Sequence, residues 1–254
     1  MILGASSGFG GATALELARN GYDIFGVHLD RRATMSNVER IQAAIRECGR
    51  EAWFFNVNAA DPERIKAVIT EMKAKGSDSP VRVLLHSLAF GSLRPLVAAN
   101  AAEQIEQKQM DMTLDVMANS LIYWVQELGQ AGLLGKGSRV FAMTSAGSTR
   151  VWPTYGPVSA AKAALESYIR QLAYELAPKG ITVNAIRAGV TDTPALRKIP
   201  GNVELLEGAR RRNPSGRLTT PEDIAQAIVV LADPRTHWIT GNVIGVDGGE
   251  DIVG

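Results

Sequence analysis

A phenol and an ammonium flank the start of an Ala-rich run, Thr154-Tyr-Gly-Pro-Val-Ser-Ala-Ala-Lys162-Ala-Ala-Leu165, with six residues between Tyr155 and Lys162. A tyrosine of this kind can donate a proton, and a neighbouring cation can tune its acidity. At the other end of the chain, Gly4-Ala-Ser-Ser-Gly8-Phe-Gly10 follows a short apolar run and opens a helical pattern. Glycines at a strand-to-helix turn let backbone N–H groups approach a pyrophosphate, and the helix N-terminus adds partial positive charge. Gly4, Ser6, Ser7, Gly8, Phe9 and Gly10 are therefore candidate dinucleotide contacts. A dinucleotide loop together with a Tyr–Lys pair points to hydride transfer assisted by a side-chain proton donor.

Such residues need a scaffold, and the hydrophobic pattern supplies one. Apolar runs at Met1–Leu3, Tyr22–Leu29, Glu51–Val57, Val81–Ser87, Arg139–Thr144, Ile181–Ile186 and Asn242–Val246 read as strands. Helix-like stretches lie between them at Gly10–Asn20, Met35–Gly49, Asp61–Lys75, Gln104–Leu134, Pro157–Pro178, Asn202–Arg212 and Pro221–Ala232. Strands that are apolar nearly throughout belong in a parallel sheet covered on both faces. The alternation predicts an α/β fold, a Rossmann-type doubly wound sheet of about seven strands, as one domain over residues 1–254. Asp61-Pro62-Glu63 and Thr220-Pro221-Glu222-Asp223 carry helix-start signals, and Gly180 a stop. The least regular stretch, Val190 to Leu218, holds three prolines and three glycines; inside a compact domain it reads as a substrate loop or lid.

Composition narrows the function classes. A formal net charge of +1 gives no electrostatic footprint for nucleic acid or a membrane surface. The single cysteine, Cys48, excludes an internal disulfide framework and a multi-thiolate metal site, and His28, His86 and His237 are scattered without zinc spacing. No apolar run reaches the roughly 18 residues of a spanning helix, and no signal segment is read at the start. A reducing, cytoplasmic setting is the expectation.

The glycine spacing G-x-x-x-G-x-G resembles the short-chain dehydrogenase/reductase superfamily, with Leu3 where that family usually has threonine. The resemblance runs along the whole chain. Asn56-Val57 matches the family's adenine-contacting pair, Asn119 its active-site asparagine, and Ser145 its serine. Ala188-Gly189 and Thr193 fall where the family has Pro-Gly and a threonine near the nicotinamide, and Asp247-Gly248-Gly249 matches its C-terminal signature. The superfamily's usual Tyr-x-x-x-Lys is absent, because Val158 stands four residues before Lys162. Tyr-x6-Lys and the turn His86-Ser-Leu-Ala-Phe90 resemble the enoyl-acyl-carrier-protein reductases, in the branch that keeps this glycine loop. The resemblance implies Tyr155, Lys162, Ser145 and Asn119 as catalytic residues. It also implies Ser87, Leu88, Ala89, Gly189, Val190, Thr193 and Lys162 at the cofactor, with an acyl carrier protein as partner and a homotetramer or homodimer as assembly.

The shifted spacing has a physical rationale. In carbonyl reduction, the oxygen to be protonated is bonded to the carbon that takes hydride. In 2-enoyl thioester reduction, hydride goes to C3 while charge develops on the thioester oxygen, two carbons away. Pro157 places the helix start after Tyr155, so its hydroxyl reaches further than one at position 158 would. Reduction of C2=C3 is thus expected over a 3-oxoacyl or hydroxysteroid-type reaction, and over a non-catalytic nucleotide sensor. Arg31 and Arg32, after the second strand, favour NADP(H) over NAD(H), although both also suit a solvated helix approach. Phe90, Leu93, Trp152, Leu196 and Ile199, with Tyr155, are candidate substrate contacts, each of which equally fits a core or interface position. Arg210-Arg211-Arg212 suits either carrier-protein steering or a plain solvated face.

Overall fold

The computed structural model describes residues 1–75 and 80–253. Seven strands form one parallel sheet: β1 (Ile2–Leu3), β2 (Ile24–His28), β3 (Ala52–Asn56), β4 (Val83–His86), β5 (Arg139–Ser145), β6 (Thr182–Ala188) and β7 (Val243–Val246). Their order is β3-β2-β1-β4-β5-β6-β7, with every neighbouring pair parallel. The chain reverses direction across the sheet between β1 and β4, so the strand ends there splay apart into a crevice. The expected Rossmann-type α/β fold is what the chain forms.

Among the described residues there are eight α-helices: α1 (Gly8–Arg19), α2 (Met35–Glu47), α3 (Pro62–Ala74), α4 (Gln107–Leu114), α5 (Ser120–Gln130), α6 (Gly156–Leu176), α7 (Asn202–Arg212) and α8 (Pro221–Ala232). Strand alternation sorts the core into two layers. Leu3, Leu84, Val140 and Ala142 face one way, against Trp124 of α5 and Leu165 and Ile169 of α6. Ile2, Leu85, Phe141 and Met143 face the other, against Leu17 of α1, Ile45 of α2 and Ile228 of α8. Trp124 is fully buried and donates its indole N–H to the Ala59 carbonyl at 2.8 Å, so its polar handle is satisfied. Truncating it to alanine would cost about 3–5 kcal/mol.

Helix punctuation follows the sequence. Asp61 caps α3 by accepting from the Glu63 and Arg64 backbone N–H groups, and Thr220 with Asp223 forms a capping box at α8. Gly180 adopts φ +68° after the last turn of α6. One expectation needs correction. The single helix read over Gln104–Leu134 begins at Gln107, behind the Glu106–Gln109 capping box, and ends at Gln130, before Gly132 at φ +75°. It also loosens into a π-helical turn over Asp115–Asn119 between α4 and α5. Such single-turn bulges occur often at functional sites.

Candidate active site

Tyr155 owes its place to a turn. Its N–H bonds the Trp152 carbonyl at 3.2 Å, closing a four-residue turn with Pro153 second and Thr154 third. Thr154 has φ +62°, and it is the non-glycine residue of the described chain in the left-handed region. Tyr155 then stands at the N-cap of α6, with Pro157 in the first turn. Behind the ring sits Gly147, where any Cβ would collide with the Tyr155 ring edge. Val158 is 5% exposed and packed in the core, on the turn of α6 just before Lys162. The usual tyrosine position is therefore a wall of the site rather than a proton donor.

Lys162 is buried and donates to the Met143 carbonyl at 2.7 Å. Burial lowers its pKa to about 8, with the Glu166 carboxylate acting in the opposite direction. Glu166 is itself held by the Thr144 hydroxyl, which donates to it at 2.6 Å. Burial raises the pKa of Tyr155, opposed by the nearby Ser145 hydroxyl. Desolvation is the larger influence on the phenol, which stays neutral and able to donate. Ser145, at the end of β5, has its hydroxyl buried without a hydrogen-bond partner among the described residues, free for a ligand oxygen.

These groups line a cavity of about 460 Å³ outside the carboxyl ends of the strands. Of the expected residues, Phe9, Ser87, Leu88, Ala89, Leu93, Ser145, Trp152, Tyr155, Lys162, Gly189, Val190, Thr193, Leu196 and Ile199 all face it. Two do not. Phe90 is 57% exposed and lies outside the lining, because the chain turns outward after Ala89. Asn119 also lies outside: it ends the π-helical turn, where its side-chain oxygen accepts from the Tyr168 hydroxyl at 2.9 Å. Sequence reading missed Met117, Met143 and Leu205, which complete the apolar wall from three separate elements and carry no local signal. It also missed Glu250, a buried carboxylate that accepts from the Val190 N–H at 2.9 Å and lies 3.4 Å from Arg212.

The irregular stretch contributes part of the cavity lining. A short 3-10 turn, Leu196–Lys198, and α7 bring Leu196, Ile199 and Leu205 over the cavity. Trp152 donates its indole N–H to the Pro200 carbonyl at 3.0 Å, tying this stretch to the turn before α6. Arg212 turns inward to Glu250 while Arg211 sits exposed near Glu207, so the arginine triplet is not one outward patch.

The glycine loop fits a dinucleotide. Gly4 has φ +92°, and a side chain there would strike the Ser87 carbonyl; one at Gly10 would strike the carbonyl of Gly4. Ser7 caps α1 without a side-chain hydrogen bond, which leaves first-turn N–H groups for an anion. Gly8 faces Thr193, bringing the loop after β6 to the same place. At the adenosine end, Asn56 is exposed, but its amide donates to the Asp30 carbonyl at 2.9 Å and its oxygen accepts from the Asp30 N–H at 3.0 Å. It fastens β3 to the end of β2, and Val57 packs beside it. Arg31 and Arg32 are exposed and make no ion pair among the described residues. No group of metal-ligating side chains exists among the described residues, and no described helix is long and apolar enough to cross a membrane.

Comparison with known proteins places this arrangement. Residues 4–250 match the family model described as enoyl-(acyl carrier protein) reductase. A 1-cyclohexenylcarbonyl-CoA reductase of Streptomyces collinus is 29% identical over 262 residues, covering 100% of this chain and 86% of that protein. A cis-4-hydroxycyclohexanecarboxylate dehydrogenase of Sinomonas cyclohexanicum is 33% identical, covering 98% and 94%. The crystal structure of the NADH-dependent enoyl-[acyl-carrier-protein] reductase of Aquifex aeolicus VF5 superposes with a TM-score of 0.86 at 26% identity, over 100% of this chain and 96% of that one. The chain therefore belongs to the enoyl-(acyl carrier protein) reductase family of the short-chain dehydrogenase/reductase superfamily, and is an oxidoreductase built for a nicotinamide cofactor.

Proposed function

We propose that the chain reduces the C2=C3 bond of trans-2-enoyl thioesters, carried on acyl carrier protein in fatty-acid elongation. The observation that carries this reading is the pair of positions 155 and 158. The phenol stands off the helix at the N-cap, and the place one turn before Lys162 holds a buried valine. A reduced nicotinamide would supply the hydride to C3 when bound, and C2 would take its proton from Tyr155 or through water. Tyr155, neutral because it is desolvated, donates a hydrogen bond to the thioester oxygen where enolate charge develops. Lys162 holds the nicotinamide ribose, and its charge favours the same oxyanion. The Ser145 hydroxyl, unpartnered beside the phenol, orients the carbonyl. The apolar wall of Leu93, Met117, Leu196, Ile199 and Leu205 takes the acyl group and keeps water from the enolate.

NADP(H) is the proposed cofactor form. Asp30, a carboxylate at the end of β2, is turned to His28, whose Nδ1 lies 3.0 Å away. Burial acts to raise its pKa, but hydrogen bonds from Ser6, Thr34 and His28 outweigh that and hold it low. A carboxylate so engaged has little left for a ribose diol, whereas Arg31 and Arg32 have guanidinium donors free for a 2′-phosphate.

A second reading, carbonyl or alcohol oxidoreduction, is favoured by the relative named as a hydroxycyclohexanecarboxylate dehydrogenase. One assay separates the two: cofactor oxidation with crotonyl thioester against acetoacetyl thioester. Consumption of the acetoacetyl substrate alone would refute enoyl reduction. Tyr155→Phe is expected to lower turnover at least about a hundredfold while cofactor affinity changes little. Wild-type turnover in that variant would remove Tyr155 from the chemistry.

A further inference from the structure

His86 closes β4, and strand alternation sets its direction. Leu84, two residues earlier, and Ala142, its register partner on β5, both belong to the core layer beneath α6. The His86 side chain therefore points to the face that α6 and the π-helical turn cover. It is fully buried there. Its Nε2 lies 2.9 Å from the Ser120 hydroxyl, which donates its one proton to the Val116 carbonyl at 2.8 Å. A hydroxyl so committed can only accept from the ring, so Nε2 carries the proton and Nδ1 keeps a lone pair. That Nδ1 is buried and has no hydrogen-bond partner among the described residues.

Lys162 lies on the same face. Of its three protons, one goes to the carbonyl of Met143, the residue after Ala142. Burial, with the Lys162 charge second, lowers the His86 pKa to about 3, so the imidazole is neutral throughout the working range. Asn119, expected among the catalytic residues, is turned to Tyr168. A buried cation with protons to give and a buried acceptor with none to receive thus lie on one face, close enough for the lysine charge to act on the imidazole.

We propose that His86 is a positioning residue for Lys162: its Nδ1 accepts a hydrogen bond from the ammonium, directly or through one water, and keeps it charged and aimed at the cofactor ribose. The proposal rests on Lys162 anchoring that ribose. The other groups facing Lys162 are Glu166 on α6, held by Thr144 of β5, and Tyr155 at the helix start. On the π-helical turn, Asp115 accepts from Tyr123. None of these replaces Nδ1 on the β4 side.

The test is a pair of pH profiles on the full-length protein: kcat/KM with crotonyl thioester, and NADPH binding followed by fluorescence. Wild type should lose both as pH rises through the Lys162 pKa. In H86Q the amide still reaches Ser120 but offers nothing at the δ position. Its alkaline limb should fall about half a pH unit or more lower, a roughly threefold loss at pH 8.5. H86N keeps an acceptor at the δ position and should lie within about twofold of wild type. S120A frees the tautomer and should give an intermediate shift. The proposal is overturned if the H86Q profile overlays wild type, or if H86N and H86Q shift equally, which would indicate lost packing. If no thioester is turned over at any pH, the proposed function fails, while the binding profile still decides the role of His86.

Discussion

Single residues decide the chemistry here, and their protonation states follow from burial. Tyr155 is kept neutral by desolvation, the state a hydrogen-bond donor to an enolate needs. Lys162 is pulled down to about 8 by the same force, so its charge sits close to the working pH. The sign is fixed: lysine is charged below its pKa, so the proposed hold on the ribose should be full on the acid side and lost as pH rises past about 8. At the adenosine end the argument rests on two exposed cations. Replacing Arg31 and Arg32 together by alanine should lower kcat/KM for NADPH by about tenfold or more and leave that for NADH nearly unchanged. Equal losses for both cofactors in a side-by-side assay would show that the arginines do not read a 2′-phosphate. The Tyr–Lys spacing and the arginines were readable in the chain because each signal is local. The partners of Asn119 and the outward turn at Phe90 were not, because both depend on residues brought in by the fold: Tyr168 of α6 for the first, the path of the chain after β4 for the second.

At the scale of elements, the turn before α6 is the part under tension. A four-residue turn with proline second and a left-handed third residue favours glycine or asparagine at that third position. Thr154 occupies it, β-branched and with its hydroxyl buried and unpartnered. Holding a threonine there costs about 1–2 kcal/mol. The turn is held by Trp152 on the Pro200 carbonyl, by the Tyr155 N–H and by Pro157 of α6. Thr154→Asn should relieve the strain with the Tyr155 position unchanged. A rise in Tm of about 2–4 °C with turnover retained is the expected result. An unchanged or lower Tm in a thermal melt would mean that the threonine is comfortable and the turn is not strained. The left-handed residue could not be read from a threonine, which gives no hint of positive φ. The helices themselves were legible from period and caps, except where α4 and α5 are split: a π-helical turn leaves the apolar period almost intact, so the pattern reads straight through it.

At the scale of the molecule, strand order explains why distant motifs meet. With β1 beside β4, the glycine loop, the turn after His86, the catalytic turn after β5 and the loop after β6 all open on one rim. The alternation of apolar and amphipathic runs sufficed for that architecture, because each βαβ crossover has one favoured hand. The opposite feature of the sheet is its edge. Among the described residues β7 bonds only β6, and Val243, Ile244 and Val246 are half-buried. Near it, Trp238 is 88% exposed, and Val230 on the adjoining α8 is exposed as well. Tyr174, also exposed, follows Ala173, whose side chain packs beside Gly241 just past Trp238. Large apolar side chains gathered at a sheet edge mark a surface that another chain covers. We propose that a second copy covers it, giving a homodimer or a homotetramer. Light scattering on the purified chain should then return two or four times 27.2 kDa, the mass of one chain. Trp238→Glu, which places a charge in the middle of that surface, should lower the assembly state without unfolding the sheet, as far-ultraviolet circular dichroism would show. A monomer at micromolar concentration in the wild type would sink the proposal. An unchanged assembly in the variant would move the interface away from β7.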